Sequence, residues 1–266
     1  MKISVITVCY NEEKNIAATI ESVLCQTATD FEYIICDGKS KDRTVEIAES
    51  YIEKFKERNI DYRVYSEKDS GIYFGMNNGI DRATGDYVIF TNAGDKLNDA
   101  NVISEILNGL GDKNPEVVYG DCLYVDRGLG FIVCGDHTKL EEYMSISHPA
   151  TLVRSDIIKS NKFNTSYKIA ADYNMMLSLY TQKFEFFHLD LVVSKFYMDG
   201  VSSVRMVESI KEAAKLRESY GIKVNLEEEL VIVERNEKRN KFKRAMPKFL
   251  WKLWNKNIKK RMWIED

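Results

Sequence analysis

Short β-branched runs such as ISVITVC near the start of the chain recur along its first hundred residues, separated by longer amphipathic stretches. Their length, apolar content and polar boundaries predict strands at Ile3–Val8, Tyr33–Cys36, Tyr62–Tyr65 and Tyr87–Thr91. Apolar positions at three- and four-residue spacing predict helices at Lys14–Cys25, Asp42–Phe55 and Ile72–Ala83. The second of these opens on SKDRT, where Ser40 or Asp42 can satisfy the exposed amides of a first turn. Strand–helix alternation implies an α/β fold with a doubly wound, mostly parallel sheet, and ligand sites at the carboxyl ends of its strands.

Beyond Asp95 the pattern is less regular. VVYGDCLYVDRGLGFIVCG predicts two strands joined by a turn at Gly128–Gly130, and HPATLVR predicts another strand. A helix is expected at Tyr173–Tyr180, strands within Phe184–Tyr197 and a longer helix from Val204 to Tyr220. With no repeat and no low-complexity linker, the chain reads as one α/β domain over residues 1–200 and a helical extension over 201–266.

Composition narrows the class. The 266 residues are 44% apolar and contain no apolar run long enough to span a bilayer. MKISVITVCY leads straight into polar NEE, so it reads as a strand and not as a leader, and a cytoplasmic location is expected. Five cysteines without a CxxC pair read as buried reduced thiols, and three unclustered histidines give no reason to expect zinc. The net charge of −3 hides an asymmetry: residues 235–261 hold 12 Lys and Arg against one acid, Glu237.

Polar clusters follow three of the predicted strands: CYNEE, CDGKS and TNAGD. In a doubly wound sheet neighbouring strand ends share one crevice, so Tyr10, Asn11, Asp37 and Asp95 are expected to converge. Tyr10 offers a ring for a base to stack on, Asp37 accepts hydrogen bonds from a base or ribose, and Asp95 can hold a divalent cation against a diphosphate. Taken singly, an Asp on a turn is more often an Asx-turn or a helix cap. No GxxxxGK loop and no GxGxxG after the first strand supports an ATPase or dinucleotide reading.

The stretches ISVITVCYNEEKNIAATIESVLCQTATDFEYIICDGKSKDRTVEIAE and SEKDSGIYFGMNNGIDRATGDYVIFTNAGDKL resemble the nucleotide-sugar half of family 2 glycosyltransferases with the GT-A, Rossmann-like fold. The resemblance is strong over Lys2–Leu97, continues through SHPATLVR and YKIAADYNMML to about Tyr197, and then fades. It implies a nucleotide-sugar half at 1–97, an acceptor half at 98–200, and inverting, metal-dependent hexosyl transfer, with a UDP-sugar favoured. By the same resemblance Val8, Tyr10, Asn11, Asp37, Glu67, Asp69, Gly71, Asn77, Asn92 and Ala93 line the donor. Asn92 and Gly94 stand where fuller acidic versions of the motif carry Asp, leaving Asp95 as the one carboxylate for Mg²⁺ or Mn²⁺, the donor diphosphate and water supplying the other ligands.

Asp172, in YKIAADYNMML, reads from the residues as a cap for the helix that follows it; the resemblance makes it the general base. His148 is divided between core packing and the acceptor site, and Tyr73 between helix packing and the sugar pocket. From Pro247 a helix is predicted with Leu250, Leu253, Trp254, Ile258 and Met262 on one side and Lys248, Lys252, Lys256 and Lys260 on another, the pattern of a helix lying on an anionic membrane surface. A helix packed on the acidic body, or nucleic-acid binding, are its alternatives; no nucleic acid is expected. The expected acceptor is a glycan, lipid-linked, in cell-surface polysaccharide synthesis. A non-catalytic sugar-binding module and a sugar nucleotidylyltransferase are the other readings, although CYNEEKN lacks the Gly-rich, Arg-containing loop the latter needs.

Overall fold

The computed structural model describes residues 1–126, 128–198, 205–245 and 262–263. Strands β1 (Ile3–Cys9), β2 (Phe31–Asp37), β3 (Asp61–Ser66) and β4 (Tyr87–Phe90) lie in the order β3–β2–β1–β4, all parallel. Every residue of β1, β2 and β4 is buried. They read as mostly apolar runs because both faces of a parallel sheet are covered. On one face helices α1 (Ile16–Leu24), α2 (Thr44–Glu49) and α3 (Ile52–Glu57) bring Ile16, Ile20, Val23, Ala48 and Phe55 against Val5, Tyr33, Ile35 and Ile89. On the other, α4 (Ile72–Arg82) brings Met76 and Ile80 against Ile6, Ile34, Val88 and Phe90.

The single helix expected over Asp42–Phe55 is two, parted at Ser50–Tyr51. There the Ser50 hydroxyl donates back to the Ile47 carbonyl at 2.6 Å, a bond that competes with the helical ladder. The cap position of α2 is Arg43, and Asp42 just before it accepts from the Thr44 amide at 3.1 Å.

At the amino-terminal rim of the sheet, Glu32 is buried to 0% exposure. Its carboxylate accepts from the Ser4 hydroxyl (2.6 Å), Lys2 Nζ (3.2 Å), Arg63 Nη2 (2.5 Å), the Thr84 hydroxyl (2.6 Å) and the Thr84 (2.5 Å) and Gly85 (3.2 Å) amides. One side chain thus ties β1, β2, β3 and the turn into β4 together.

The second half comprises β5 (Lys96–Leu97), α5 (Val102–Leu110), β6 (Val117–Asp126), β7 (Leu129–Val133), β8 (Thr151–Arg154), α6 (Ser155–Ser160), α7 (Ala171–Thr181) and β9 (Phe186–Tyr197). Strand β8 runs antiparallel between β4 and β6, and β6 forms the expected hairpin with β7, its turn eased by Gly128 at φ 78°. Strand β9 is one strand of 12 residues, parallel to β6 with register shifts near Asp121 and antiparallel to β5. The sheet is therefore parallel in its first half and mixed in its second. Helices α5 and α6 were not anticipated, although Val102, Ile103, Ile106 and Leu110 are buried at helical spacing.

The extension begins with α8 (Met206–Ser219) and α9 (Leu226–Ala245). The helix expected from Pro247 lies outside the described residues except at Met262–Trp263. These two form β10, antiparallel to Leu129–Gly130 of β7, so Met262 is in extended backbone and not in that helix. Among the described residues no helix is long and apolar enough to cross a membrane. The cysteine expectation holds in part: Cys9, Cys36 and Cys122 are buried, but Cys25 and Cys134 are exposed.

Candidate functional site

Register puts the three polar strand ends on one edge of the sheet. Cys9 of β1 is opposite Asp37 of β2, and β4 flanks β1 on its other side. Two main-chain bonds draw the following loops together: Gly38 N–H donates to the Cys9 carbonyl at 2.9 Å, and Ala93 N–H to the Val8 carbonyl at 3.3 Å. Tyr10 projects from this edge, 55% exposed. Asn11 adopts the left-handed conformation (φ 55°), which Asn tolerates, and its side chain accepts from the Lys41 amide at 2.9 Å. Asp37 is almost buried and accepts from the Ser40 amide (2.9 Å) and from the hydroxyls of Ser40 and Ser66, the latter at 2.6 Å.

Beside Asp37 a shallow crevice is lined by Cys36, Tyr65, Glu67, Asp69, Gly75, Asn78 and Arg82. Asp69 reaches into it because two glycines make room: a Cβ built on Gly38 or on Gly75 would stand 3.0 Å from Asp69 Oδ2. The Gly75 Cβ would also stand 2.6 Å from Val8 Cγ1, so buried Val8 is a floor under α4. Asp69 Oδ1 accepts from the Gly71 amide at 3.0 Å, and Gly71, at φ 136°, opens α4. Glu67 pairs with Arg82 at 2.8 Å, whose guanidinium also lies 4.5 Å from the Tyr65 ring centre.

Asn77 departs from expectation. Its amide donates to the Phe163 carbonyl at 2.9 Å and accepts from the Phe163 amide at 3.0 Å, so it clips a loop while Asn78 lines the crevice. Asn78 and Arg82 were missed, although the spacing of 75, 78 and 82 marks one face of α4.

The NAGD turn is held from behind. Thr19 accepts from the Gly94 amide (3.0 Å) and donates to the Asp95 carbonyl (2.8 Å), while Gly94 takes φ 101°. The Asp95 amide donates to the Asn92 carbonyl at 2.9 Å. Half-buried Ala93 packs against the core, and Asn92 Oδ1 is a buried acceptor without a hydrogen-bond partner. Asp95 is 8% exposed. An orphaned amide oxygen and a carboxylate on one turn are both oxygen donors of the kind hard divalent cations take, so the donor types fit Mg²⁺ or Mn²⁺. Among the described residues no cluster of three or more His, Cys, Asp or Glu ligands occurs.

Asp172 is the second residue of α7, which starts two residues earlier than expected; it stands inside the first turn and not at the cap, which is Ala170. Its Oδ1 accepts from the Tyr173 amide at 2.8 Å and lies 3.3 Å from the Tyr73 hydroxyl, which donates to the Ile169 carbonyl at 2.5 Å. Tyr73 thus joins α4, at the crevice, to α7. Burial pushes the Tyr73 phenol far up, and the Asp172 charge adds to it. Half-buried His148 stacks on Phe90 (5.4 Å) and meets Phe163 edge-on (5.7 Å); burial lowers its proton affinity against the pull of Asp172. Burial also raises the Tyr124 phenol, with the charges of Asp172 and Asp95 adding to it, and its hydroxyl lies 3.2 Å from that of Ser147. The site therefore joins a shallow polar crevice, an oxygen-donor turn and a third carboxylate close to the crevice helix.

This fold is the GT-A fold. The chain belongs to the family described as Glycosyl transferase family 2, whose profile matches residues 4–176. It is 29% identical over 180 residues to a PGL/p-HBAD biosynthesis glycosyltransferase of Mycobacterium bovis, covering 67% of this chain and 69% of that protein. Among solved structures, S. aureus TarS 1–349 in complex with UDP-GlcNAc superposes with a TM-score of 0.66 at 19% identity, over 86% of this chain and 69% of that one. Mannosyltransferase PcManGT from Pyrobaculum calidifontis, in complex with GDP-Man and Mn²⁺, gives 0.64 at 14% identity over 84% and 65%.

Proposed function

We propose that the chain is an inverting hexosyltransferase that moves a sugar from a nucleoside diphosphate sugar, a UDP-sugar in preference, to a hydroxyl of a lipid-linked glycan acceptor in cell-surface polysaccharide assembly. The division of labour follows the fold: residues 1–97 take the donor, 98–200 the acceptor, and 201–266 form the extension. The observation that carries this reading is the approach of the Tyr73 hydroxyl, on the crevice helix, to within 3.3 Å of Asp172. It brings a carboxylate to the side of the donor crevice.

In this reading a base stacks on Tyr10 and donates to Asp37, while Asp69, with Glu67 and the Gly71 amide beside it, accepts from ribose or sugar hydroxyls. Asp95 and Asn92 would hold a divalent cation, which when bound neutralises charge on the leaving diphosphate. Asp172 accepts the proton of the acceptor hydroxyl as that oxygen bonds to the anomeric carbon and the bond to the diphosphate breaks on the opposite face, inverting configuration. Tyr73, its phenol kept neutral by burial, donates to the Ile169 carbonyl and so holds the main chain three residues before Asp172. His148 and Tyr124 border the space between the two halves.

Asp172→Asn is expected to keep nucleotide binding and to lose transfer by about 10²-fold or more, the usual scale for a general base. UDP release from UDP-sugars measures the transfer, and calorimetry with UDP and Mn²⁺ measures the binding. Turnover like wild type excludes the role. The basic tail suits a membrane-borne acceptor; flotation of full-length protein with anionic vesicles, lost when Lys248, Lys252, Lys256 and Lys260 become Glu, tests that part.

A further inference from the structure

Residues 161–170, which lead into α7, contain no helix or strand, so their path depends on clips from elsewhere. Asn77 supplies one at Phe163. The other comes from the extension: half-buried Glu212 of α8 accepts from three successive amides, Lys168 at 2.8 Å, Ile169 at 2.7 Å and Ala170 at 2.7 Å. Charge-assisted bonds of this length are the stronger class, and three converging on one carboxylate fix the peptide planes between them. Ile169 is held on both sides, its amide by Glu212 and its carbonyl by Tyr73. Three residues after Ile169 stands Asp172.

Helix α8 is itself well anchored. Ala214 and Leu216 are buried. Arg217, 8% exposed, donates to the Glu142 carbonyl and makes two bonds to Glu229 of α9, at 2.8 and 2.6 Å. Glu212 therefore projects from a fixed support.

We infer that Glu212 is a positioning residue for transfer: the extension sets the direction of Asp172 by gripping the main chain just before it, with Tyr73 as the opposing grip. This rests on the reading of Asp172 as the base. An error of about 1 Å in the placement of a reacting group costs on the order of 10²-fold in rate. Glu212→Gln keeps one acceptor oxygen but presents an amide to donors, so turnover is expected to fall about 10- to 100-fold, and further in Glu212→Ala.

The test uses full-length protein with UDP-glucose, UDP-N-acetylglucosamine and GDP-mannose in Mn²⁺, reading nucleoside diphosphate released, together with hydrogen exchange. Glu212→Gln should lower kcat while leaving the donor KM and the affinity for UDP within about twofold, and the Lys168–Ala170 amides should exchange faster. In the Asp172→Asn background it should cost nothing more, because it acts through that carboxylate. Tyr73→Phe, which removes the opposing grip without opening a cavity, should behave alike. Unchanged exchange at Lys168–Ala170, normal kcat beside a crippled Asp172→Asn, or additive losses in the double variant would each overturn the inference. Normal turnover by Asp172→Asn, or no release by wild type from any of the three donors, would instead count against the underlying reading.

Discussion

Replacing Glu32 by glutamine removes a buried charge that six donors surround at the rim of the sheet opposite the site. Burial alone would raise this carboxyl, but the hydrogen bonds from Ser4, Thr84 and Lys2 more than offset it and hold it at about 2, against 4.5 for a free glutamate. At about 1.4 kcal/mol per tenfold change in proton affinity, the gap corresponds to about 3 kcal/mol. The sign follows from linkage. Between pH 4.5 and 2 the unfolded chain binds the proton that the fold refuses, so the contribution is full above about 4.5 and drains away as pH falls toward 2. Glu32→Gln should therefore unfold about 3 kcal/mol more easily at pH 7, equivalent to roughly 6–12 °C in Tm for a protein of this size. Urea denaturation of both proteins from pH 7 to pH 3 measures the difference, which should shrink to about half at pH 3. A difference constant across that range would refute the reasoning, because it would mean that the loss comes from packing and not from charge. Nucleotide affinity of the variant should match wild type.

Asn77→Ala leaves both polar groups of the Phe163 main chain without their clip, and should cost about 1–3 kcal/mol in thermal or urea unfolding. Its affinity for UDP should change by less than about twofold; normal stability with lost nucleotide binding would return Asn77 to the donor crevice. Under native conditions an Ellman's titration should find two accessible thiols, Cys25 and Cys134, and three more only after unfolding. Burial raises the Cys36 thiol to about 11 and Cys122 to about 12, and Cys9 further still. More than two fast thiols would contradict the packing of β1 and β2.

The parallel half of the fold was legible because its determinants are local: β1 and β2 are short, mostly apolar and β-branched runs, and α4 shows helical periodicity. The strand-end residues Tyr10, Asp37 and Asp95 were legible for the same reason, since topology alone gathers strand ends. What stayed hidden depends on contacts distant along the chain. Asn77 and Asn78 are adjacent and identical in type, and only the packing of α4 decides which meets Phe163 and which the crevice. Asp172 read as a cap because nothing nearby in sequence reveals the Glu212 carboxylate 40 residues on, which grips the amides just ahead of α7. The break between α2 and α3 turned on one hydroxyl, Ser50, that composition does not distinguish from a solvated serine.

Strand β5 begins at the residue after Asp95 and pairs Lys96 with Lys195 and Leu97 with Ser194 of β9, which in turn runs along β6. The NAGD turn is thereby laced into the second half of the sheet. The two halves cannot swing apart about this seam without tearing a ladder, and a graft that exchanges one half for a relative's should place its joint well away from residues 95–97.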